Sequence, residues 1–210
     1  MFLVPSALGD SSDALGKGGC YAESMAVSAS QRLFTPGQYL EFEEQASERH
    51  EYVDGVVHAL PGETREHNEV AGNLYTLLRP CARGSRCWVA FEGIKLWIPE
   101  LNRYYYPDVM VLCDPRDADS KVFRYPCFIA EILSPATEAT DRREKLQAYR
   151  SIETLNAYLM VDVTARAVDC LERPPGDWRL RHLTDGEVQV ACLGAKLEIK
   201  AMVEGLGASV

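Results

Sequence analysis

One carboxylate in this chain lies inside a segment that otherwise has the composition of a buried strand. In the stretch FIAEILSPATEATDRREK, residues 128–145, apolar residues flank Glu131 on both sides. Burying an unpaired carboxylate costs several kcal/mol, and this strand segment contains no lysine or arginine that would offset the charge. Glu131 therefore requires a partner from another element, and a bound cation is one candidate.

A second carboxylate, Asp108, is placed where it can meet the first. It follows Pro107 at the start of an apolar strand in YYYPDVMVLCD. If this strand neighbours the one that contains Glu131, the two carboxylates can converge on one face. Mg²⁺ prefers carboxylate oxygens, so the pair predicts a divalent-metal site. The structural alternative is an ordinary turn, since an aspartate after proline commonly begins one.

The helix predicted after Glu131 contributes a cation to the same region. The segment DRREK, residues 141–145, ends at Lys145. Its ammonium could position a nucleophilic water or stabilise the charge that develops on a phosphate. The alternative is a solvated lysine in a weak i,i+4 ion pair with Asp141. Asp141 is also the predicted N-cap of a helix over 141–152, with Glu144 completing a capping box.

The remaining pattern predicts a mixed α/β domain that positions these groups. Helix-entry signals stand at Thr35 and Thr64, and Asp54-Gly55 indicates a hairpin over 51–60. Strands are predicted at 88–91, 94–98, 105–113, 128–133, 158–162, 168–172, 178–183 and 188–192.

The two ends of the chain lack this periodicity. Residues 1–30 are rich in Gly, Ser and Ala, which predicts a disordered leader, and Met25 would serve equally well as a natural start. The folded domain is predicted to span 31–200, followed by a tail at 201–210.

Composition limits the function. The net charge of −9 argues against broad nonspecific nucleic-acid binding, which usually needs a basic surface. No apolar run reaches the roughly 18–20 residues of a membrane span. The seven cysteines include no C-x-x-C pair, so a structural zinc site is not expected. We predict reduced cysteines and a cytoplasmic protein, because apolar residues surround Cys113, Cys127, Cys170 and Cys192.

Several blocks of the sequence resemble the putative restriction endonuclease-like family of the PD-(D/E)xK nuclease superfamily. They are YYYPDVMVLCD, PCFIAEILSPATEATDRREKLQAYR and LNAYLMVD, preceded by RHEYVDGVVHAL and the histidine of REHNEVAGNLYTLL. The five blocks occur in the family's order and cover about residues 33–183. The resemblance implies a restriction-endonuclease-like fold, a central mixed sheet flanked by helices. It also implies a metal site at Asp108 and Glu131 and cleavage of phosphodiester bonds.

One position departs from the superfamily pattern. The residue two after Glu131 is Leu133 rather than lysine. The resemblance implies that Lys145 of the following helix is the substitute, and Lys95 in the strand before Asp108 is the rival.

Two upstream residues also match the family's blocks. Glu51 could complete the metal site as a third carboxylate, and His67 could orient a metal-bound water or contact phosphate. The structural alternative for both is hydrogen bonding that fixes the hairpin against the helix.

These observations predict a Mg²⁺- or Mn²⁺-dependent endonuclease that acts on nucleic acid, with DNA as the expected substrate. A homodimer is expected as well, with the strands near 168–192 as interface material. The alternatives are a catalytically inactive nucleic-acid- or protein-binding module on the same fold. The predicted metal ligands are Asp108, Glu131 and Glu51, the catalytic lysine is Lys145, and the phosphate contacts are His67, Arg142, Arg143 and Arg150.

Overall fold

A six-stranded mixed sheet forms the centre of the protein in a computed structural model that describes residues 33–207. The helices are α1 (Pro36–Gln45), α2 (Arg65–Cys81), α3 (Glu138–Thr140), α4 (Leu146–Arg150) and α5 (Ile199–Met202). The strands are β1 (His50–Val53), β2 (Val56–Ala59), β3 (Trp88–Phe91), β4 (Lys95–Ile98), β5 (Arg103–Tyr105), β6 (Val109–Leu112), β7 (Val122–Phe123), β8 (Pro126–Leu133), β9 (Ala157–Asp162), β10 (Ala167–Glu172), β11 (Arg179–Leu183), β12 (Glu187–Val190) and β13 (Ala195–Glu198).

The strands are arranged in three sheets. The central sheet has the order β11-β10-β9-β8-β6-β3, in which β8 and β9 are parallel and the other neighbours are antiparallel. A second sheet has the order β2-β1-β5-β4-β7, and β12 pairs with β13 in a short ribbon. Strand β8 is buried along all its residues, as expected for a strand covered on both faces.

The two faces of the central sheet pack against different layers, because successive side chains of a strand point to opposite faces. Val109 of β6 lies in one core with Leu74 of α2. The next residue, Met110, lies in the second core with Tyr149 of α4 and Leu96 of β4. Helices thus cover both faces of a mixed sheet, which confirms the predicted fold class.

The single strand predicted over 105–113 is two strands in different sheets. Tyr105 ends β5, which pairs with β4 in the second sheet, whereas Val109 begins β6, which pairs with β8 in the central sheet. Pro107 lies in the transition, where it has no amide hydrogen to donate to either ladder. The break places Asp108 immediately before β6, at the junction between the two sheets.

The predicted helix starts are confirmed at Thr35 and Thr64. The Thr35 hydroxyl accepts a hydrogen bond from the Gln38 backbone amide at 3.3 Å, and the Gln38 Oε1 atom accepts one from the Thr35 backbone amide at 3.0 Å. The Thr64 hydroxyl accepts from the His67 amide at 3.2 Å. The hairpin turn is also confirmed, since Asp54 and Gly55 have φ of 49° and 95°, the signature of a two-residue turn with two positive φ angles.

The predicted N-cap at Asp141 is wrong. The helix begins earlier, at Glu138, and Asp141 opens a π-helical turn over Asp141–Lys145 that joins α3 to α4. Asp141 is 1% exposed, so its carboxylate is directed inward rather than back to the helix terminus. The capping box with Glu144 does not form, and the Glu144 carboxylate accepts a hydrogen bond from the Tyr105 hydroxyl at 2.8 Å.

The prediction of reduced cysteines is wrong for three of the four residues named. Cys87 is bonded to Cys113, and Cys127 is bonded to Cys192. Only the buried Cys170 is free as predicted, and the exposed Cys81 is also free. The inference of a cytoplasmic protein rested on reduced cysteines, so these two disulfides remove its support.

The C-terminal boundary predicted at residue 200 falls inside α5. Met202 is fully buried, and the Asn73 side-chain amide donates to the carbonyl oxygens of Met202 and Glu204 at 3.1 and 2.8 Å. Residues 201–207 therefore pack on the domain. The predicted leader, 1–30, lies outside the described residues. Within residues 33–207, no helix has the length and apolar character needed to cross a membrane.

Candidate active site

The strand register brings Asp108 and Glu131 to the same place. Val109 of β6 pairs with Ala130 of β8, so Asp108 and Glu131 occupy the next rung of this antiparallel pair and share a face. The Asp108 Oδ2 atom accepts a hydrogen bond from the Ile132 amide at 2.7 Å. The carboxylate thereby accepts from a backbone amide of β8 that lies just beyond Val109 and Ala130, the last paired residues of β6 and β8.

Lys145 is the partner that the buried Glu131 requires. Its Nζ atom lies 3.1 Å from Glu131 Oε1, 3.0 Å from Glu51 Oε1 and 3.2 Å from Asp141 Oδ1. The Tyr149 hydroxyl donates a second hydrogen bond to Glu131 Oε1, at 2.7 Å. All three carboxylates and the ammonium are buried. Because both the charge and the hydrogen-bonding capacity of Glu131 are served, its burial is compatible with a stable fold.

The π-helical turn over Asp141–Lys145 fixes the positions of the Asp141 carboxylate and the Lys145 ammonium. The Leu146 amide donates to the Asp141 carbonyl oxygen, a longer span than the i→i+4 bond of an α-helix. The Tyr158 hydroxyl of β9 donates to the same carbonyl oxygen at 3.2 Å. Such turns are frequently found at functional sites, and this one directs both Asp141 and Lys145 toward β8.

His67 lies between two acidic residues on the other side of Asp108. Its Nε2 atom is 3.1 Å from Asp108 Oδ2, and its Nδ1 atom is 2.9 Å from Glu63 Oε2. Burial alone would lower the pKa of this histidine, but the bonds to Asp108 and Glu63 outweigh burial and raise the pKa to about 10. His67 is therefore an imidazolium at neutral pH, and it neutralises part of the acidic charge.

Burial and like charges raise the pKa of Glu131. Desolvation is the largest cause, and the carboxylates of Asp108, Asp141 and Glu51 add to it, while Lys145 opposes the shift. The pKa of Lys145 is also raised, because attraction to its acidic neighbours, first of all Glu131, outweighs its desolvation. The lysine is thus fully protonated at neutral pH and acts as a cation, not as a base.

Acidic groups outnumber basic ones in this cluster. Two cations, His67 and Lys145, face five carboxylates, which belong to Glu51, Glu63, Asp108, Glu131 and Asp141. Ligand atoms of Glu63, His67 and Asp108 lie within 4.8 Å of one another. The five carboxylates, with their excess negative charge, suit a hard divalent cation such as Mg²⁺ or Mn²⁺, so the chemistry of these donors fits such an ion.

A cavity of about 40 Å³ opens onto the cluster. Backbone segments and side chains from the β2–α2 loop, α2, β8 and the π-helical turn line it, including His67, Asp108, Glu131, Asp141 and Lys145. The cavity can hold an ion and water, whereas a polymeric substrate would have to lie across its mouth.

Of the other predicted residues, Glu51 belongs to the charged cluster and Lys95 does not. Glu51 lies in the cluster, where its Oε1 atom accepts from the Tyr106 amide at 3.4 Å. Lys95 lies outside the cluster. Its ammonium lies over the Tyr106 ring, 5.2 Å from the centroid, and it lines a separate pocket with Lys121 and Glu44. The geometry thus favours Lys145 over its rival Lys95.

The three arginines do not line the cavity. Arg142 is ion-paired with Asp169 and with Glu138, the latter at 2.7 Å. Arg143 and Arg150 are exposed on the helix surface. Of these three arginines, Arg143 and Arg150 are the two that are exposed and have no ion pair within residues 33–207.

The sequence missed three members of the cluster, namely Glu63, Asp141 and Tyr149. Their common signal was spacing of four residues. Glu63 precedes His67 by four, and Asp141, Lys145 and Tyr149 follow one another at intervals of four. Within a helix that spacing places side chains on one face, and the side chains of Lys145 and Tyr149 both contact Glu131; Glu63 lies just before α2.

Fold and site together define a restriction-endonuclease-like protein. Acidic groups and a lysine converge beside β6 and β8, two adjacent strands of a central mixed sheet. The family model described as "Putative restriction endonuclease", Uma2, matches residues 36–202. The chain belongs to this family.

Two relatives and one solved structure each match about four fifths of the chain. Two uncharacterized proteins of Synechocystis sp. (strain ATCC 27184 / PCC 6803 / Kazusa) are both 34% identical to the chain. The matches cover 82% of this chain and 92% of the first relative, and 79% of this chain and 96% of the second. The crystal structure of a putative nuclease belonging to DUF820 from Anabaena variabilis ATCC 29413 superposes with a TM-score of 0.67. It shares 16% identity and covers 82% of this chain and 99% of its own, so it shows the common fold.

Proposed function

We propose that the chain is a divalent-metal-dependent endonuclease whose substrate is DNA. One observation carries the proposal: a buried ammonium and a surplus of carboxylates converge at the predicted strand positions in a member of a restriction endonuclease family. Charged residues are almost never fully buried unless they are paired, and this cluster has more carboxylates than cations to pair with them.

The metal ligands in this proposal are Asp108 and Glu131, with Glu51 as a third carboxylate. A bound Mg²⁺ or Mn²⁺ would polarise the scissile phosphate and lower the pKa of a coordinated water. The excess acidic charge of the cluster supports this assignment, because a divalent cation would offset the repulsion that adds to desolvation in raising the pKa of Glu131.

Lys145 and His67 act as fixed cations beside the phosphate. Both are protonated at neutral pH for the reasons given above, so neither serves as the general base. A preorganised ammonium stabilises negative charge that develops on a phosphoryl oxygen without any reorganisation at the moment of reaction. Arg143 and Arg150, exposed on the same helix, are the candidates for contacts with the DNA backbone.

A homodimer is part of the proposal. The chain is acidic, with a net charge of −9, and a second copy would add contacts to one duplex without further basic residues. Strand β11 forms an edge of the central sheet and exposes Leu180 by 56%, which suits pairing with a second copy. Light scattering tests the dimer separately from activity, and a monomeric mass would remove this part of the proposal.

Cleavage assays test the nuclease. Supercoiled plasmid and single-stranded DNA are incubated with Mg²⁺, Mn²⁺ or EDTA. We expect nicking that requires the metal and is lost in Asp108→Asn and Lys145→Met. The matched control is Lys95→Met, which removes the rival lysine and should cleave like the wild type. Loss of cleavage in the Lys95 variant, with activity retained in the Lys145 variant, would reverse the assignment.

A second candidate function is a nucleic-acid-binding module with inactive chemistry. The observation that favours it is the position of Lys145, whose ammonium lies within 3.2 Å of Glu51, Glu131 and Asp141 and so gives each of these carboxylates a partner from the protein itself. Calorimetric titration with Mn²⁺ separates the two functions, because an inactive site held by lysine alone should bind no divalent cation.

A further inference from the structure

Four cysteines from distant parts of the chain form one sulfur cluster, which lies where β3, β6 and β8 of the central sheet have their neighbouring ends. Cys87 precedes β3, Cys113 follows β6, Cys127 belongs to β8, and Cys192 lies in a short 3₁₀ helix between β12 and β13. The two disulfides join Cys87 to Cys113 and Cys127 to Cys192. The disulfides are themselves adjacent, since the Sγ atoms of Cys113 and Cys127 lie 3.7 Å apart.

The strand register explains why the cluster exists. Trp88 of β3 pairs with Leu112 of β6, which places Cys87 and Cys113 opposite each other at the next rung. Strand β8 lies on the other side of β6 and is antiparallel to it, so Cys127 near the start of β8 lies close to Cys113 after the end of β6. The ribbon β12–β13 then brings Cys192 onto this position from outside the sheet.

The spacing of the sulfur atoms suits a tetrahedral metal ion. The Sγ atoms of Cys113, Cys127 and Cys192 all lie within 4.8 Å of one another. Zn²⁺ bound to thiolates at about 2.3 Å separates its ligands by about 3.8 Å in a tetrahedron, close to the gap between Cys113 and Cys127. Thiolate ligands select soft or borderline metals such as zinc. The site is also shielded, since Cys127 is buried and the other three are half-buried.

We propose that the reduced form of this cluster binds one Zn²⁺ ion through Cys113, Cys127 and Cys192, with Cys87 as the fourth ligand. A dithiol reductant converts each disulfide into two thiols, and each disulfide receives two electrons and two protons in that step. The four thiols then lose their protons to solvent as the thiolates bind the metal. This site is separate from the carboxylate cluster and does not depend on the proposed nuclease activity.

The proposal gives the ribbon β12–β13 a covalent or metal-mediated tether in both redox states. In the oxidised protein the Cys127–Cys192 bond ties the ribbon to β8. In the reduced protein the metal joins the same residues. The absence of a C-x-x-C pair does not exclude such a site, because the ligands come together through sheet topology and not through local spacing.

Cobalt binding is the first test. The full chain is reduced with a dithiol, freed of the reductant under anaerobic conditions and titrated with Co²⁺, which reports thiolate ligation through a charge-transfer absorption band. We expect saturation at one equivalent and displacement by Zn²⁺. Cys113→Ser and Cys192→Ser should each weaken binding at least tenfold. A control variant with serine at Cys20, Cys81 and Cys170 retains only the four cluster cysteines and should bind like the wild type.

Alkylation of the wild type provides a measurement that does not depend on whether a variant folds. Reduced protein is treated with iodoacetamide with and without one equivalent of Zn²⁺, and modified cysteines are located by mass spectrometry. We expect Zn²⁺ to protect the four cluster cysteines and to leave Cys81 reactive. The proposal is overturned if the thiolate band is absent and the cluster cysteines are alkylated equally in both samples. Equal Co²⁺ binding by the wild type and both cluster variants would also overturn it.

Discussion

Replacing Lys145 with methionine tests the buried charge cluster directly. The variant keeps an apolar side chain of similar length but removes the ammonium that lies 3.0–3.2 Å from Glu51, Glu131 and Asp141. Removing one partner of a buried ion pair costs about 3–5 kcal/mol. Because one ammonium serves three carboxylates, we expect Lys145→Met to lower the free energy of unfolding by about 4–5 kcal/mol, at the upper end of that range.

Thermal unfolding at pH 8, in EDTA, measures this effect. For a chain of this size the expected loss corresponds to a decrease in Tm of about 8–20 °C. The pKa of Glu131 is already raised in the wild type and rises further without the lysine. A carboxyl group whose folded pKa exceeds its unfolded value destabilises the fold as pH rises between the two values. The Tm difference between variant and wild type should therefore be smaller at pH 5 than at pH 8.

Two further variants make the result specific. Lys196→Met removes an exposed ammonium that lies 2.8 Å from Glu187, and we expect little change in Tm because solvent-exposed ion pairs contribute little to stability. The double variant Lys145→Met/Glu131→Gln leaves fewer unpaired charges and should be more stable than Lys145→Met alone. If Lys145→Met unfolds within two degrees of Lys196→Met at pH 8, the electrostatic account of this cluster is refuted.

Three other predictions concern the same site. Glu131→Gln should abolish Mn²⁺ binding in calorimetry while circular dichroism stays native, because a neutral amide costs less to bury than an unpaired charge; an unchanged affinity would remove Glu131 from the metal site. In the metal-free protein His67 should titrate by NMR near its folded pKa of about 10, and Asp108→Asn should lower that pKa. Since its folded pKa is raised above 6.5, the stability that His67 contributes is fully present below pH 6.5 and is lost as pH rises through 10. DNA affinity should be weak in EDTA, tighter in Ca²⁺ and only shallowly dependent on salt, because few phosphates are neutralised per site; tight binding in EDTA would argue against a metal bridge between carboxylates and phosphate.

The sequence predicted the strands and the two central carboxylates because each has a local signal. An acidic residue between apolar neighbours stands out without any knowledge of the fold, and Asp54-Gly55 specifies its turn by itself. The break between β5 and β6 has no such signal. Residues 104–106 and 109–112 are all buried, so buried segments flank Pro107 and Asp108 on both sides of the point where the chain changes sheets.

The groups that complete the site were harder to predict because they depend on the phase of a helix. Asp141 and Glu144 have the spacing of a capping box, and the spacing would be meaningful only if the helix began at Asp141. It begins at Glu138, and the π-helical turn then rotates Asp141 and Lys145 toward β8. The cysteine pairs were missed for a different reason, since they join residues that are 26 and 65 positions apart and have no local pattern.

The packing of this face of β8 accounts for an apolar residue at Leu133, two positions after Glu131. Leu133 shares a face with Ile129 and Glu131, and both apolar residues lie in the core that includes Tyr149 of α4. Leu133 is 8% exposed, so a lysine there would extend from a strand into a layer already filled by a helix. Lys145 approaches from that helix and places its ammonium on Glu131 from the opposite side. Leu133 and Lys145 are therefore complementary: the leucine fills the apolar layer, and the helix that covers this layer supplies the charge.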